Sequence, residues 1–175
     1  MSREIRKLAA LIKKRNAIEA DIAAIINRPG EIGHVGEFIA SRIFNINLEH
    51  SAVTAGWDGH FTESSPAGKT VKIKWYPKRE GLLDLNIQFN LDYYLVLTGG
   101  QANAKPSRGK TRPWLISDLF ETRWLFSELA GRKVKIGSAT SVARKYWEQA
   151  RVYPGKESLL LPLSEEKREM LALFG

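Results

Sequence analysis

Gly56-Trp57-Asp58-Gly59-His60-Phe61 and Val71-Lys72-Ile73-Lys74-Trp75-Tyr76 read as two successive strands of one hairpin, joined by a turn-rich stretch from Thr62 to Thr70. Side chains alternate faces along a strand, so Asp58 and His60 share one face, and Lys72, Lys74 and Tyr76 share one face of the next strand. Val71, Ile73 and Trp75 take the opposite face and are suited to a core. A matching register puts Asp58 opposite the lysine row. Gly56 and Gly59 leave room beside Asp58 for a close approach by backbone or by a ligand.

Upstream of the hairpin, the spacing of Val35, Phe38, Ile39 and Ile43 predicts a helix over Ile32 to Phe44. Glu37 lies off that stripe, surrounded by Gly33, Gly36, Ala40 and Ser41. Each helical glycine costs about 1 kcal/mol relative to alanine, so these positions need a reason. Small residues would let the helix lie close against a sheet and aim the Glu37 carboxylate inward. The plainer reading is a surface glutamate over a tight helix–sheet contact.

The first helix is expected over Ile5 to Asn27, with Ile5, Leu8, Ile12, Ile18, Ile22 and Ile25 recurring at mostly three- and four-residue steps. Lys13, Lys14, Arg15 and Glu19 occupy much of its other face, and Arg28-Pro29-Gly30 ends it. Such a helix can pack on the rest of the chain or pair with another copy as a homodimer.

Downstream, Tyr93-Tyr94-Leu95-Val96-Leu97-Thr98 is a nearly continuous apolar run of the kind found in a buried central strand. Leu82 to Phe89 is ambiguous. Gly99 to Thr111 reads as a long polar loop, Arg112 to Ile116 as a strand and Asp118 to Ala130 as largely helical. Val134-Lys135-Ile136-Gly137 is a short strand candidate, followed by a helix over Ser141 to Val152. Ser164 is a good N-cap for a final helix, Glu165 to Phe174, with acids in its first turn. The expected architecture is one α/β domain over residues 1–175, with an N-terminal helix (1–28) and a core (30–175).

Composition narrows the chemistry. Lys and Arg outnumber Asp and Glu by 27 to 19, a formal charge of +8 that points to an anionic partner, nucleic acid above all. The blander reading is a generally basic surface. Lys69, Lys72, Lys74, Lys78 and Arg79 crowd the hairpin, and Arg108, Lys110 and Arg112 punctuate the long loop as candidate phosphate contacts. With no cysteine, disulfides, thiol catalysis and cysteine zinc sites are excluded. Three histidines, His34, His50 and His60, make a three-histidine zinc improbable. No apolar run reaches the ~20 residues of a membrane span. The N-terminus has no signal-peptide core, so a cytoplasmic location is expected. Gly68-Lys69-Thr70 and Gly109-Lys110-Thr111 are not P-loops, since Glu63 and Ala104 stand where that motif needs glycine.

An acid on a helix, an acid on one strand and a lysine on the next can together assemble a metal-dependent phosphodiesterase site. A hard cation held by carboxylates polarises the phosphoryl oxygen and acidifies a water, and a lysine stabilises the developing charge. Asp58 and Glu37 are the candidate metal ligands, Lys74 the catalytic cation, and His60 a further ligand or proton shuttle. The aromatics Trp75, Tyr76, Trp114, Tyr146 and Trp147 are candidates for base stacking or, more plainly, for the core.

Glu37 on a helix, Asp58 on a strand and Lys74 on the next resemble the PD-(D/E)xK nuclease superfamily. The runs Gly36-Glu37-Phe38-Ile39-Ala40, Gly56-Trp57-Asp58-Gly59 and Val71 to Tyr76 are similar to a bacterial family within it, and the likeness extends over about residues 30–175. The resemblance implies a restriction-endonuclease-like fold: a mixed central sheet flanked by helices. It further implies a DNA endonuclease using Mg²⁺, with Mn²⁺ as an alternative. One position departs from it. Two residues before the lysine the superfamily carries Asp or Glu, sometimes Gln, and this chain carries Lys72. Cation facing cation there costs on the order of several kcal/mol in a partly buried site. Either Glu63, Glu80 or Asp84 supplies the missing oxygen, or Lys72 replaces the metal's charge and holds a phosphate without cleaving it. The functional expectation is therefore a metal-dependent DNA endonuclease. The alternatives are a catalytically inactive DNA-binding domain of the same fold and a basic protein-interaction adaptor.

Overall fold

The computed structural model describes residues 2–49, 56–77, 80–88, 90–99, 115–155 and 157–174, and the structural statements below concern those residues. In chain order they form α1 (Arg3–Ile26), α2 (Ile32–Phe44), β1 (Ile46–Leu48), β2 (Gly59–Phe61), β3 (Thr70–Tyr76), β4 (Leu82–Leu83) and β5 (Tyr93–Thr98). There follow β6 (Ile116–Glu121), α3 (Thr122–Gly131), β7 (Thr140–Ser141), α4 (Arg144–Ala150), β8 (Arg151–Tyr153) and α5 (Glu165–Ala172).

Six strands form one mixed sheet in the order β1-β2-β3-β5-β6-β8. Only β3 and β5 run parallel; every other neighbouring pair is antiparallel. β4 and β7 make a separate two-stranded ribbon. Alternation along the strands builds two cores. On one face Val71, Ile73, Leu95, Leu97 and Leu119 pack with Ile39, Ile43 and Phe44 of α2 and Leu171 of α5. On the other, Tyr94, Val96 and Phe120 pack with Leu125 and Leu129 of α3, Tyr146 and Trp147 of α4, and Leu83. Helices thus cover both faces of a mixed sheet, an α/β architecture that also carries a long N-terminal helix.

Several expectations are met closely. α2 spans Ile32–Phe44 and β5 spans Tyr93–Thr98 as read, and the Ser164 hydroxyl caps α5 by accepting from the Lys167 N–H at 3.3 Å. Of the small residues of α2, Gly36 provides the expected close approach to the sheet, whereas a Cβ on Gly33 would meet nothing. A Cβ on Gly36 would lie 2.8 Å from Trp75 Cε3, so the helix rests against the sheet at a distance only glycine permits.

Other expectations need correction. The second strand begins at Gly59, and Trp57 and Asp58 lie in a bend before it. The backbone of Asp58 is nonetheless tied to both neighbouring strands. Its N–H donates to Val71 O at 2.9 Å, and its carbonyl accepts from the Glu49 N–H at 2.9 Å. Asp118 does not open a helix. Ser117, Asp118, Leu119 and Phe120 are buried in β6, which pairs with β5 and β8, and the helix starts only at Thr122. Val134 to Gly137 is not a strand; the short strand is Thr140–Ser141, against Leu82–Leu83. The helix expected to reach Val152 stops at Ala150, where the chain turns into β8. Gly59 makes room for backbone, not ligand, since a Cβ there would lie 2.3 Å from Asn47 O of β1. The expected loop from Gly99 to Thr111, apart from Gly99, and the start of the strand expected at Arg112 lie outside the described residues.

The first helix runs almost as read, ending at Ile26 with Asn27 in the left-handed conformation. Residues 2–21 are exposed along their whole length, and within α1 only Ile26 is buried. The apolar stripe is therefore not packed on the described part of the fold. No helix is long and apolar enough to cross a membrane among the described residues.

Candidate functional site

The hairpin register pairs Gly59 with Val71 and His60 with Thr70, which carries Asp58 to the neighbourhood of Lys72 and Ile73. Asp58 is 5% exposed, and both carboxylate oxygens have donors. Lys72 Nζ donates to Oδ1 at 2.5 Å, and the Ile73 N–H donates to Oδ2 at 2.7 Å. A buried carboxylate needs such partners, because an unpaired charge away from water is strongly disfavoured. Here β3 supplies one partner from its backbone and one from the side chain two residues before Lys74.

Lys74 lies on the same face as Lys72 and is partly buried. Among the described residues it forms no hydrogen bond or ion pair of its own. Burial, and after it the neighbouring Lys72 ammonium, hold its amine below the ordinary lysine value, while Asp84 and Asp58 pull in the opposite direction. Tyr76 completes the row. Burial pushes its hydroxyl up to about 12, so it remains a phenol at neutral pH. That hydroxyl donates to Asp84 Oδ2 at 3.3 Å and accepts from the Asp84 N–H at 3.1 Å, while Asp84 Oδ1 accepts from the Ala139 N–H at 2.8 Å.

The remaining expected site residues are not gathered here. Glu37 accepts from Arg28 Nη1 at 2.5 Å. It rides on α2, which packs against the sheet face bearing Val71, Ile73 and Trp75, not the face of the lysines. Its carboxylate orders the junction between the first two helices, not the hairpin. His60 Nδ1 lies 3.5 Å from Glu49 Oε1, in a pair that is substantially exposed. Of the three acids considered as replacements for the missing oxygen, only Asp84 comes close enough to influence Lys74. Glu63 accepts from the Asn45 amide, and Glu80 is exposed. Lys69 is exposed, with Nζ 3.4 Å from Asp92 Oδ1. Lys78, Arg79, Arg108, Lys110 and Arg112 lie outside the described residues, as does Trp114. Tyr146 and Trp147 are 1% exposed and belong to the core, so neither can stack on a base.

Sequence reasoning missed Asp118. Register aligns Lys74 with Val96 and Val96 with Asp118, so Asp118 occupies the lysine face two strands away, about 10 Å by strand spacing. It is fully buried, and Arg151 Nε donates to its Oδ1 at 2.7 Å. The signal was present in Leu115, Leu119 and Phe120 around it, but a helical reading of this stretch hid it.

A divalent cation needs several oxygens free to turn toward one point. The Lys72 ammonium stands on the approach to Asp58 Oδ1, Glu37 is held by Arg28, and no group of three metal-ligating side chains occurs among the described residues. As arranged, Asp58 and Glu37 are engaged by Lys72 and Arg28 and are not gathered into one ligand set for Mg²⁺ or Mn²⁺. One lysine is neutralised by Asp58, and the next is left as a partly buried cation. No family model matches the chain, and no curated protein matches it.

Proposed function

We propose that the chain is a nucleic-acid-binding protein with a restriction-endonuclease-like core, in which Lys72 takes the place of a metal and Lys74 receives a phosphate of DNA. The observation that carries this reading is the asymmetry of the lysine pair. Lys72 is consumed by Asp58 at 2.5 Å, while Lys74 has no carboxylate within bonding distance among the described residues. A partly desolvated ammonium with no carboxylate at bonding distance gains more from a phosphate oxygen than an exposed lysine does, because its water shell is already depleted. The formal charge of +8 favours the same partner over longer range.

Lys69, Lys78, Arg79, Arg108, Lys110 and Arg112 are, by sequence, the further candidate phosphate contacts of this reading. In this reading the protein holds DNA without hydrolysing it. Metal-dependent cleavage remains the competing outcome. Plasmid nicking and duplex binding, each measured with Mg²⁺ and with chelator, separate the two. Binding that survives chelation, with no nicking, supports the proposal. Nicking that requires Mg²⁺ and disappears in Asp58→Ala replaces it with the endonuclease. Absence of binding at low salt leaves the basic adaptor.

A further inference from the structure

The largest apolar stripe that the described fold leaves uncovered is on α1. Ile5, Leu8, Leu11, Ile12 and Ile18 are each between 43% and 59% exposed. At 3.6 residues per turn they fall within an arc of about 140°, on a helix about 36 Å long. Only the end of this helix is docked. Ile26 is buried, and Gly30 folds back so closely that a Cβ there would lie 2.6 Å from the Glu19 carbonyl oxygen. The rest of the helix projects with its stripe bare, although in proteins most helical stability comes from packing such an apolar face.

Leu8, Leu11, Arg15, Ile18 and Ile22 follow the alternating three- and four-residue steps of a coiled-coil seam. Charge selects the partner and its direction. Arg3, Arg6, Lys7, Lys13, Lys14 and Arg15 lie in the first two-thirds of the helix, with Glu4 the one acid among them, and Glu19 and Asp21 lie near its end. Parallel pairing would set the basic stretch of one copy beside that of the other and face Arg15 with Arg15 in the seam. Antiparallel pairing sets Lys7 beside Asp21 of the other copy, puts Arg15 on Leu11 instead of on Arg15, and opposes the helix dipoles, at the cost of bringing Lys14 near its own mate at the axis.

We propose that α1 pairs antiparallel with α1 of a second copy of this chain, about a two-fold axis beside Ile12. Leu8 then packs on Ile18 of the other copy, Leu11 on the aliphatic stem of its Arg15, and Ile12 on its Ile12. Lys7 lies on the flank beside Asp21 of the other copy, and the symmetry repeats each contact. This inference stands apart from the proposed DNA contact, which uses none of these residues.

Sedimentation equilibrium of the full chain over a concentration series tests it. The expected mass is twice 19.7 kDa, with Ile12→Glu weakening the dimer about tenfold or more. Ile12 is exposed, so this substitution leaves both cores intact. Lys7→Glu alone and Asp21→Lys alone each oppose like charges and weaken self-association. Their equimolar mixture restores both ion pairs and recovers the wild-type dimer. A monomer at every concentration overturns the proposal, as does a dimer indifferent to Ile12→Glu or a mixture no tighter than its components. Monomers that sediment instead with phosphatidylserine vesicles would assign the stripe to a lipid surface and equally overturn it.

Discussion

Asp58 sits at the centre of the hairpin because two donors converge on it, and each can be removed separately. Asp58→Ala strands the Lys72 ammonium, whose side chain is only 26% exposed, and orphans the Ile73 N–H. The expected loss of stability is about 3 kcal/mol, read from urea unfolding. Asp58→Asn keeps an acceptor for the N–H and should lose less. Lys72→Glu makes the reverse experiment. It sets a second carboxylate beside Asp58, so like charges oppose one another until a cation enters. Thermal unfolding of that variant should shift upward with Mg²⁺ or Ca²⁺, while the wild type, whose Asp58 is already neutralised, should not respond. Lys74 has a pH signature. Burial holds its amine below the ordinary lysine value, and a bound phosphate favours the charged form. DNA affinity should therefore fall as pH rises through that depressed value, before ordinary lysines titrate. Lys74→Arg, which stays protonated, should flatten the profile.

At the scale of elements, the contact of α2 with β3 depends on one missing methyl group. Gly36→Ala would bring a Cβ within 3.1 Å of Trp75 Cβ and closer still to its ring. The expected cost is about 1–3 kcal/mol of overpacking, measured by thermal or urea unfolding, even though alanine favours a helix. Elements with a strong internal period were legible in the chain: α1, α2, β5 and the capped α5. Those defined by pairing were not. β6 carries Ser117 and Asp118 in a strand flanked by two others, and tertiary pairing overrides a local pattern that reads as helix. The three-residue β1 and the two-residue β4 and β7 are too short to announce themselves; neighbours specify them. At the site, alternation was enough to put Asp58 opposite the lysines. It could not show that Glu37 would be taken by Arg28, because that contact depends on how the helix junction folds back.

Across the whole molecule, the proposed DNA contact would carry a definite salt dependence. Each phosphate neutralised releases counterions, so log affinity for duplex DNA should fall linearly with log salt. Removing one phosphate contact should reduce that slope by about one. The most direct test is fluorescence anisotropy of labelled duplex DNA in chelator, titrated with wild type and Lys74→Ala at several salt concentrations. The proposal requires metal-free binding by the wild type, and in Lys74→Ala both a weaker affinity and a slope shallower by about one. Binding that appears only with Mg²⁺, or an affinity and slope indifferent to Lys74, would contradict it.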